Sequence, residues 1–185
     1  MEKGAEGITP ELRSWLERQK VFFVATAPLS GAGHVNCSPK GGDTFRILGS
    51  REVAYLDLTG SGIETVAHLG ENGRIVLMFC AFEGPPKIVR LHGRGEVIKS
   101  GDGRFEELLT GFAPFPGARA VIKVILDRIA DSCGYGVPLY EFRGERDALP
   151  KWAEKKGSNG LEKYRSSENR KSIDGLPGLF PGVKP

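Results

Sequence analysis

The stretch RIVLMFCAFEGPPKIVRLHGRGEVI, residues 74–98, decides the fold class of this chain. Its first part, residues 74–82, is a strongly apolar run of strand length, which is typical of a central strand. Gly84-Pro85-Pro86 then turns the chain into a long second run, residues 87–98. Gly93 and Gly95 inside that run mark a bulge or a bend. The stretch therefore predicts two neighbouring strands at the heart of a sheet.

Further strand-like runs lie on both sides of this stretch, and turns rich in glycine separate them. They cover residues 21–27, 34–38, 45–48, 53–57 and 121–130. Thr9-Pro10-Glu11 is a helix start, with a capping hydroxyl, proline at the first helical position and an acid in the first turn. Short helices are predicted over 63–70 and 105–109. Six or seven strands with small inserted helices predict a mainly β fold, closer to a barrel than to a doubly wound sheet.

Composition narrows the class of protein. The chain has 185 residues, 39% hydrophobic and 26% charged, which fits a globular domain and argues against general disorder. No apolar run resembles a signal peptide or approaches the roughly 20 residues that span a bilayer. Cys37, Cys80 and Cys133 are odd in number and widely spaced, which argues for reduced thiols. We therefore expect a cytoplasmic protein with no membrane partner.

The character of the chain changes near residue 146. Residues 151–185 carry eight Lys/Arg against four Asp/Glu, a charge of +4, so the rest of the chain carries −1 of the net charge of +3. Leu149 and Trp152, and later Leu161 and Tyr164, follow a helical spacing. We predict a barrel domain over 1–145 and a basic, helical and turn-rich extension over 146–185 that packs on the barrel or on a partner subunit. The tail is more typical of a solvated face than of a nucleic-acid surface.

Gly60-Ser61-Gly62 forms a glycine-rich loop between a strand and a helix. Ser61 and Glu64 fit a capping box, which predicts that the helix starts at Ser61. Free backbone N–H groups and the positive end of the helix suit a phosphate there. The alternative is an ordinary cap that binds nothing. The loop lacks the features of a Walker loop or a dinucleotide fingerprint.

A second motif, Ser38-Pro39-Lys40-Gly41-Gly42, closes a predicted strand. Proline is expected to end the sheet ladder, and the glycines allow the backbone to approach a ligand. Lys40 then stands at a rigid edge as a point positive charge. The alternative is an exposed lysine in a turn.

The other reactive residues do not form a recognisable catalytic or metal-binding group in the sequence. His34, His68 and His92 are too dispersed to predict a metal site, and Ser38 has no evident His and Asp partners for nucleophilic catalysis. Asp57, at a strand end, is a candidate general base, although a hydrogen bond to a ligand hydroxyl or to local backbone is the more usual role. We predict no metal and assign no catalytic residue.

The order and spacing of several motifs resemble the FMN-binding proteins related to pyridoxamine 5'-phosphate oxidase. VNCSPKG at 35–41 and YLDLTGSGIET at 55–65 carry the resemblance, and HLGENGRI at 68–75 and GPPKIVRLHG at 84–93 extend it. It covers roughly residues 15–135. The resemblance implies a FMN-binding split β-barrel and a homodimer that holds FMN between its two subunits.

The resemblance also implies roles for individual residues. Lys40 reaches the FMN phosphate, and the preceding strand lines the ribityl chain and ring with Val35, Asn36, Cys37 and Ser38. The strand end and loop then complete the phosphate site with Asp57, Thr59, Gly60, Ser61 and Gly62. The oxidases carry an Arg-Lys pair in that loop, where this chain has Gly-Ser-Gly, so we expect FMN to be held less tightly.

The resulting hypothesis is a FMN-binding oxidoreductase that acts on an unidentified small-molecule redox substrate. The alternative is a non-catalytic flavin-binding or flavin-sensing protein, because a shared barrel does not fix a shared activity. The sequence leaves the electron donor and acceptor open. It also leaves FAD or a deazaflavin open as the cofactor, although the short phosphate site suits a mononucleotide.

Overall fold

The computed structural model describes residues 6–179, and in that range the chain forms seven strands and four helices. The strands are β1 (Phe22–Thr26), β2 (Asn36–Lys40), β3 (Phe45–Gly49), β4 (Glu52–Leu58), β5 (Arg74–Cys80), β6 (Ile88–Lys99) and β7 (Ala118–Ser132). The helices are α1 (Pro10–Arg18), α2 (Glu64–Asn72), α3 (Gly103–Leu109) and α4 (Ala148–Glu168). The ends of the two predicted domains, residues 1–5 and 180–185, lie outside the described residues.

The strands form one antiparallel sheet in the order β2-β1-β5-β6-β7-β4-β3. β5 and β6, which residues 74–98 form, are neighbours near the middle of the sheet, as predicted. β6 and β7 are the longest strands. The register shifts between His92 and Gly93, so the predicted bulge is confirmed at Gly93. A side chain at Gly93 would overlap the backbone carbonyl of Ile125, which explains why glycine is required there.

The sheet curls on itself, so strands from its two ends meet in the core. Phe22 in β1 and Phe45 in β3 are far apart in strand order, yet their ring centroids lie 5.5 Å apart. Phe22 also contacts Tyr55 of β4 at 5.7 Å and stacks on Phe79 of β5 at 5.3 Å. These contacts require a strongly coiled sheet. The architecture is mainly β with small helices, a split β-barrel, as predicted.

The helices cover the barrel at separate places. α1 begins as predicted, because the Thr9 hydroxyl accepts a hydrogen bond from the Leu12 N–H at 3.2 Å, and Leu16 is buried against the barrel. α4 contains one break at Gly157, where φ is 62°, and it buries Ala153 and Leu161. No helix among residues 6–179 is both long and apolar enough to cross a membrane.

Candidate functional site

β2 is an edge strand whose side chains alternate between two environments. Asn36, Ser38 and Lys40 are half-buried, whereas Cys37 and Pro39 are exposed. Val35 lies just before the strand and is 74% exposed. The predicted site residues of this segment therefore divide between an inward set and an outward set. The Asn36 amide reaches inward, donating to the Thr65 hydroxyl at 2.9 Å.

The position of Pro39 corrects one expectation. The sequence predicts a strand over 34–38 that ends at the proline, but the strand runs from Asn36 through Pro39 to Lys40. Proline is tolerated because β2 pairs only with β1, so its missing N–H faces the open edge. Antiparallel strands alternate the direction of their backbone groups, so Cys37, two residues earlier, also turns its N–H and C=O to that edge. β2 thus offers open backbone groups to a ligand or a partner.

Lys40 faces a buried ion pair. Its Nζ lies 3.8 Å from Asp57 Oδ1, and Arg119 Nε donates to Asp57 Oδ2 at 2.7 Å. Asp57 is 1% exposed and Arg119 is 5% exposed, so the pair is shielded from water. Lys40 is therefore in direct contact with the end of β4. Both oxygens of Asp57 face cations, which leaves it unsuited to act as a general base.

The Lys40 ammonium is partly desolvated. Burial lowers the pKa of Lys40 below 10.5, and the neighbouring Arg119 lowers the pKa further, whereas Asp57 opposes both effects. Burial disfavours the charged form of an amine, and an adjacent carboxylate favours it. A second anion in contact with Lys40 would favour its ammonium form further. The lysine thus lies partly buried beside Asp57 rather than fully displayed to solvent.

The Gly60–Gly62 loop does not cap α2 as predicted. The helix begins at Glu64 with Ile63 as its N-cap, and no side-chain hydrogen bond closes it, so the Ser61–Glu64 capping box is wrong. The Glu64 carboxylate instead accepts a hydrogen bond from the Ile173 N–H at 3.3 Å. Ser61 and Gly62 are exposed. The Ser61 hydroxyl is left without an intrahelical role.

Two residues outside the predicted site hold this loop by hydrogen bonds to its carbonyl groups. Arg119 donates to the carbonyls of Gly60 and Gly62 at 3.1 and 2.8 Å. Asn169, fully buried, donates to the carbonyls of Gly60 and Ser61 at 2.8 and 3.3 Å. Three consecutive loop carbonyls therefore point inward. The Asn169 side-chain oxygen also accepts from Arg119 at 2.8 Å, which links the two residues.

The inward carbonyls fix the direction of the loop N–H groups. In a trans peptide the N–H points opposite to the C=O of the same unit. The N–H groups of Ser61 and Gly62 therefore point away from Arg119 and Asn169, and both residues are exposed. Within residues 6–179 neither N–H has a hydrogen-bond acceptor. Adjacent open N–H groups form an anion-binding concavity.

Lys40, Thr59 and Gly60 line one cleft of about 590 Å³. This volume lies within the roughly 300–1,000 Å³ typical of small-ligand sites. Its other walls combine apolar, basic and acidic residues, and the segment before and within α4 contributes Phe142, Glu145, Arg146 and Leu149. Ser61 and Gly62 lie at the adjoining loop and not in the cleft wall. The structure thus brings Lys40, Asp57, Thr59 and Gly60 together, with Asn36 and Ser38 farther along β2.

Three residues of this region were missed by sequence reasoning: Arg119, Arg165 and Asn169. A charged residue in the apolar run 118–126 gives a signal for Arg119, since buried arginines need partners. Arg165 and Asn169 give no comparable signal, because polar residues are ordinary in a charged helix. No group of three or more His, Cys, Asp or Glu side chains suitable for a metal occurs in residues 6–179.

The fold and the motifs match known proteins. The family model described as pyridoxamine 5'-phosphate oxidase matches residues 8–133. The pyridoxamine 5'-phosphate oxidase family protein ustO of Aspergillus flavus is 40% identical over 196 residues, covering 97% of this chain and 78% of that protein.

Solved structures show the same fold at lower identity. HupZ of Group A Streptococcus is 24% identical with a TM-score of 0.54, over 68% of this chain and 94% of that one. A candidate pyridoxamine 5'-phosphate oxidase of Lactobacillus delbrueckii is 18% identical with a TM-score of 0.53, over 68% of this chain and 95% of that one. The family match and the split barrel agree, and this chain belongs to the pyridoxamine 5'-phosphate oxidase family.

Proposed function

We propose that this protein binds FMN and acts as a flavin-dependent oxidoreductase on a small-molecule redox substrate. The observation that carries the proposal is the meeting of Lys40 with Thr59 and Gly60 at one cleft. Lys40 ends β2, whereas Thr59 and Gly60 follow β4, about twenty residues later in the sequence. Their convergence is what a phosphorylated ligand requires.

The charges and donors around Lys40 support a phosphate monoester. Such a group carries about two negative charges and accepts several strong hydrogen bonds. Lys40 supplies a partly desolvated ammonium, and the loop presents open N–H groups at Ser61 and Gly62. Backbone donors and a lysine are a recurring means of holding phosphate. The residues present therefore fit the phosphate end of a flavin mononucleotide.

The open edge of β2 supports the placement of the rest of the flavin. Val35, Asn36, Cys37 and Ser38 would lie along the ribityl chain and ring, with free backbone groups at Cys37 for polar ring atoms. Asp57 would act indirectly, by holding Lys40 and Arg119 in position. Bound flavin supplies the hydride or electron chemistry, and the protein supplies orientation and exclusion of water.

The exposed residues beside β2 support a homodimer that encloses the flavin. Val35 is 74% exposed and Cys37 is also exposed, so this face has room for a second wall. Light scattering of the purified protein tests the dimer, and a monomer that retains flavin would refute the interfacial placement.

We further propose a cytoplasmic location, because all three cysteines are free thiols.

The flavin proposal is tested on the purified protein. We expect an oxidised-flavin absorption spectrum, and release of FMN rather than FAD or a deazaflavin on heating, identified by mass spectrometry. Lys40→Ala should weaken FMN binding about 10- to 100-fold, as expected for loss of a charged hydrogen-bond donor. Lys99→Ala, at an exposed position in β6, is the matched control. A protein that neither carries nor takes up any flavin would refute the proposal.

A second candidate is non-catalytic flavin binding. The specific observation in its favour is that Asp57, the acid nearest to Lys40, is held by two cations and offers no free proton acceptor. Anaerobic reduction by NADH or NADPH, followed by reoxidation with added electron acceptors, distinguishes the two functions. Turnover supports the oxidoreductase, whereas bound flavin that no donor reduces supports the binding protein.

A further inference from the structure

Arg165 connects α4 to the proposed phosphate site. Its Nε donates to the Thr59 hydroxyl at 2.9 Å, and its Nη2 donates to the Ala118 carbonyl at 3.1 Å. Thr59 is 106 residues away in sequence and lines the same cleft as Lys40. A helix from the C-terminal part of the chain thus brings a guanidinium into contact with a residue of the cleft wall, although Arg165 does not itself line the cleft.

The hydrogen bonds of Thr59 show that it orients Arg165. The Thr59 hydroxyl donates its proton to the Gly117 carbonyl at 2.6 Å, so it accepts from Arg165 and has no proton left for a ligand. Thr59 is 2% exposed. Its side chain therefore positions the guanidinium instead of contacting phosphate.

Arg119 and Arg165 differ in how many of their hydrogen-bond donors remain free to bind a ligand. Arg119 uses its donors on Asp57, Asn169 and the loop carbonyls, as a structural arginine does. Arg165 is only half-buried, and its Nη1 has no acceptor among residues 6–179. A guanidinium with an open amino group beside a cleft is suited to a planar oxyanion contact.

The charge balance of the cluster is incomplete without an anion. Lys40, Arg119 and Arg165 are three cations, and Asp57 is the one buried carboxylate among them. Burial and the nearby Arg119 both lower the pKa of Arg165, and the exposed Glu162 opposes them. Glu162 is exposed, so the buried groups of the cluster keep a positive excess, which favours binding of an anion such as phosphate. A cation in the last turn of a helix also suits the helix dipole, but the dipole does not direct it to Thr59.

We propose that Arg165 is a phosphate ligand, so that α4 completes the phosphate site of this protein. The Gly60-Ser61-Gly62 loop has no cationic side chain of its own, and Arg165 would supply positive charge from α4. This inference rests on the proposed function for the identity of the ligand as FMN. The geometry itself requires only a phosphate group, and the FMN phosphate and free inorganic phosphate share that chemistry.

Binding of FMN and of riboflavin to the full chain tests the inference, because riboflavin lacks the phosphate. Arg165→Met should weaken FMN binding about 10- to 100-fold, as for loss of a charged hydrogen bond, and should leave riboflavin binding within about twofold. The FMN affinity of Arg165→Lys should lie between those of the unmodified chain and of Arg165→Met. Lys163→Met, exposed on the same helix, should bind both ligands as the unmodified chain does. An unchanged ratio of FMN to riboflavin affinity in Arg165→Met would overturn the assignment.

Inorganic phosphate provides a readout that is independent of flavin. It should raise the melting temperature of the unmodified chain and of Lys163→Met, and should raise that of Arg165→Met much less. Stabilisation by phosphate through Arg165 without any flavin binding would support the anion site and refute the flavin function. Flavin binding with equal phosphate stabilisation of all variants would support the function and refute the role of Arg165.

Discussion

The buried carboxylate of Asp57 gives the sharpest prediction for stability. Asp57→Asn keeps the shape of the side chain and removes its charge, leaving Lys40 and Arg119 with no buried counter-charge. The substitution removes the charge from a 2.7 Å hydrogen bond with Arg119 and from a 3.8 Å ion pair with Lys40. Breaking a buried ion pair by neutralising one partner costs about 3–5 kcal/mol. We expect a decrease of that size in the free energy of unfolding.

The measurement is urea unfolding followed by circular dichroism, with the denaturant slope constant between variants. For a chain of this size about 3–5 kcal/mol corresponds to a fall of roughly 6–20 °C in melting temperature. Asp43→Asn is the matched control, because Asp43 pairs with Arg46 at 2.8 Å but is 73% exposed. Exposed pairs contribute about 0–1 kcal/mol. Equal, small decreases in both variants would refute the idea that Asp57 neutralises a buried cationic cluster.

Lys40, Asn169 and Gly93 give three further predictions. The ratio of FMN to riboflavin affinity should fall as the pH rises through the pKa of Lys40 in the free protein, which lies under 10.5, because the charged ammonium is lost; a ratio that stays constant over this range would contradict the role of Lys40. Asn169→Ala removes the donor to two loop carbonyls, so it should lower the free energy of unfolding by about 2 kcal/mol in urea unfolding; an unchanged free energy of unfolding would contradict this. Gly93→Ala should cost about 1–3 kcal/mol in urea unfolding through overlap with Ile125, whereas Gly103→Ala, with open space, should be close to neutral; similar costs would contradict the bulge.

Local pattern determined most of the architecture. Apolar runs, glycine turns and the Thr9-Pro10 helix start are encoded within a few residues, so six of the seven strands agree with the prediction to within two residues at each end. β7 begins at Ala118, three residues before the predicted start. The bulge at Gly93 was predictable because a glycine inside a long strand usually has a steric reason. The extent of β2 is an exception, because local pattern did not predict it. β2 extends through Pro39 because its neighbour is missing on one side, and edge position is a property of the whole sheet.

The capping box at Ser61 failed for a related reason. Its four residues have the right types, but the loop carbonyls are held by Arg119 and Asn169, which come from β7 and the end of α4. A local capping preference is worth about 1 kcal/mol, and several buried hydrogen bonds to charged groups outweigh it. Long-range contacts therefore decided the conformation of the loop.

The sequence by itself determined the class of fold, the family and two of the segments that meet at the cleft. Only the tertiary structure decided that Asp57 lies between Lys40 and Arg119, and that Arg165 reaches Thr59 across 106 residues. Strand and turn preferences act between neighbours along the chain, whereas a charge cluster depends on which distant strands pair and where a helix packs. The requirement to compensate buried charge acts through space, and no spacing along the chain expresses it.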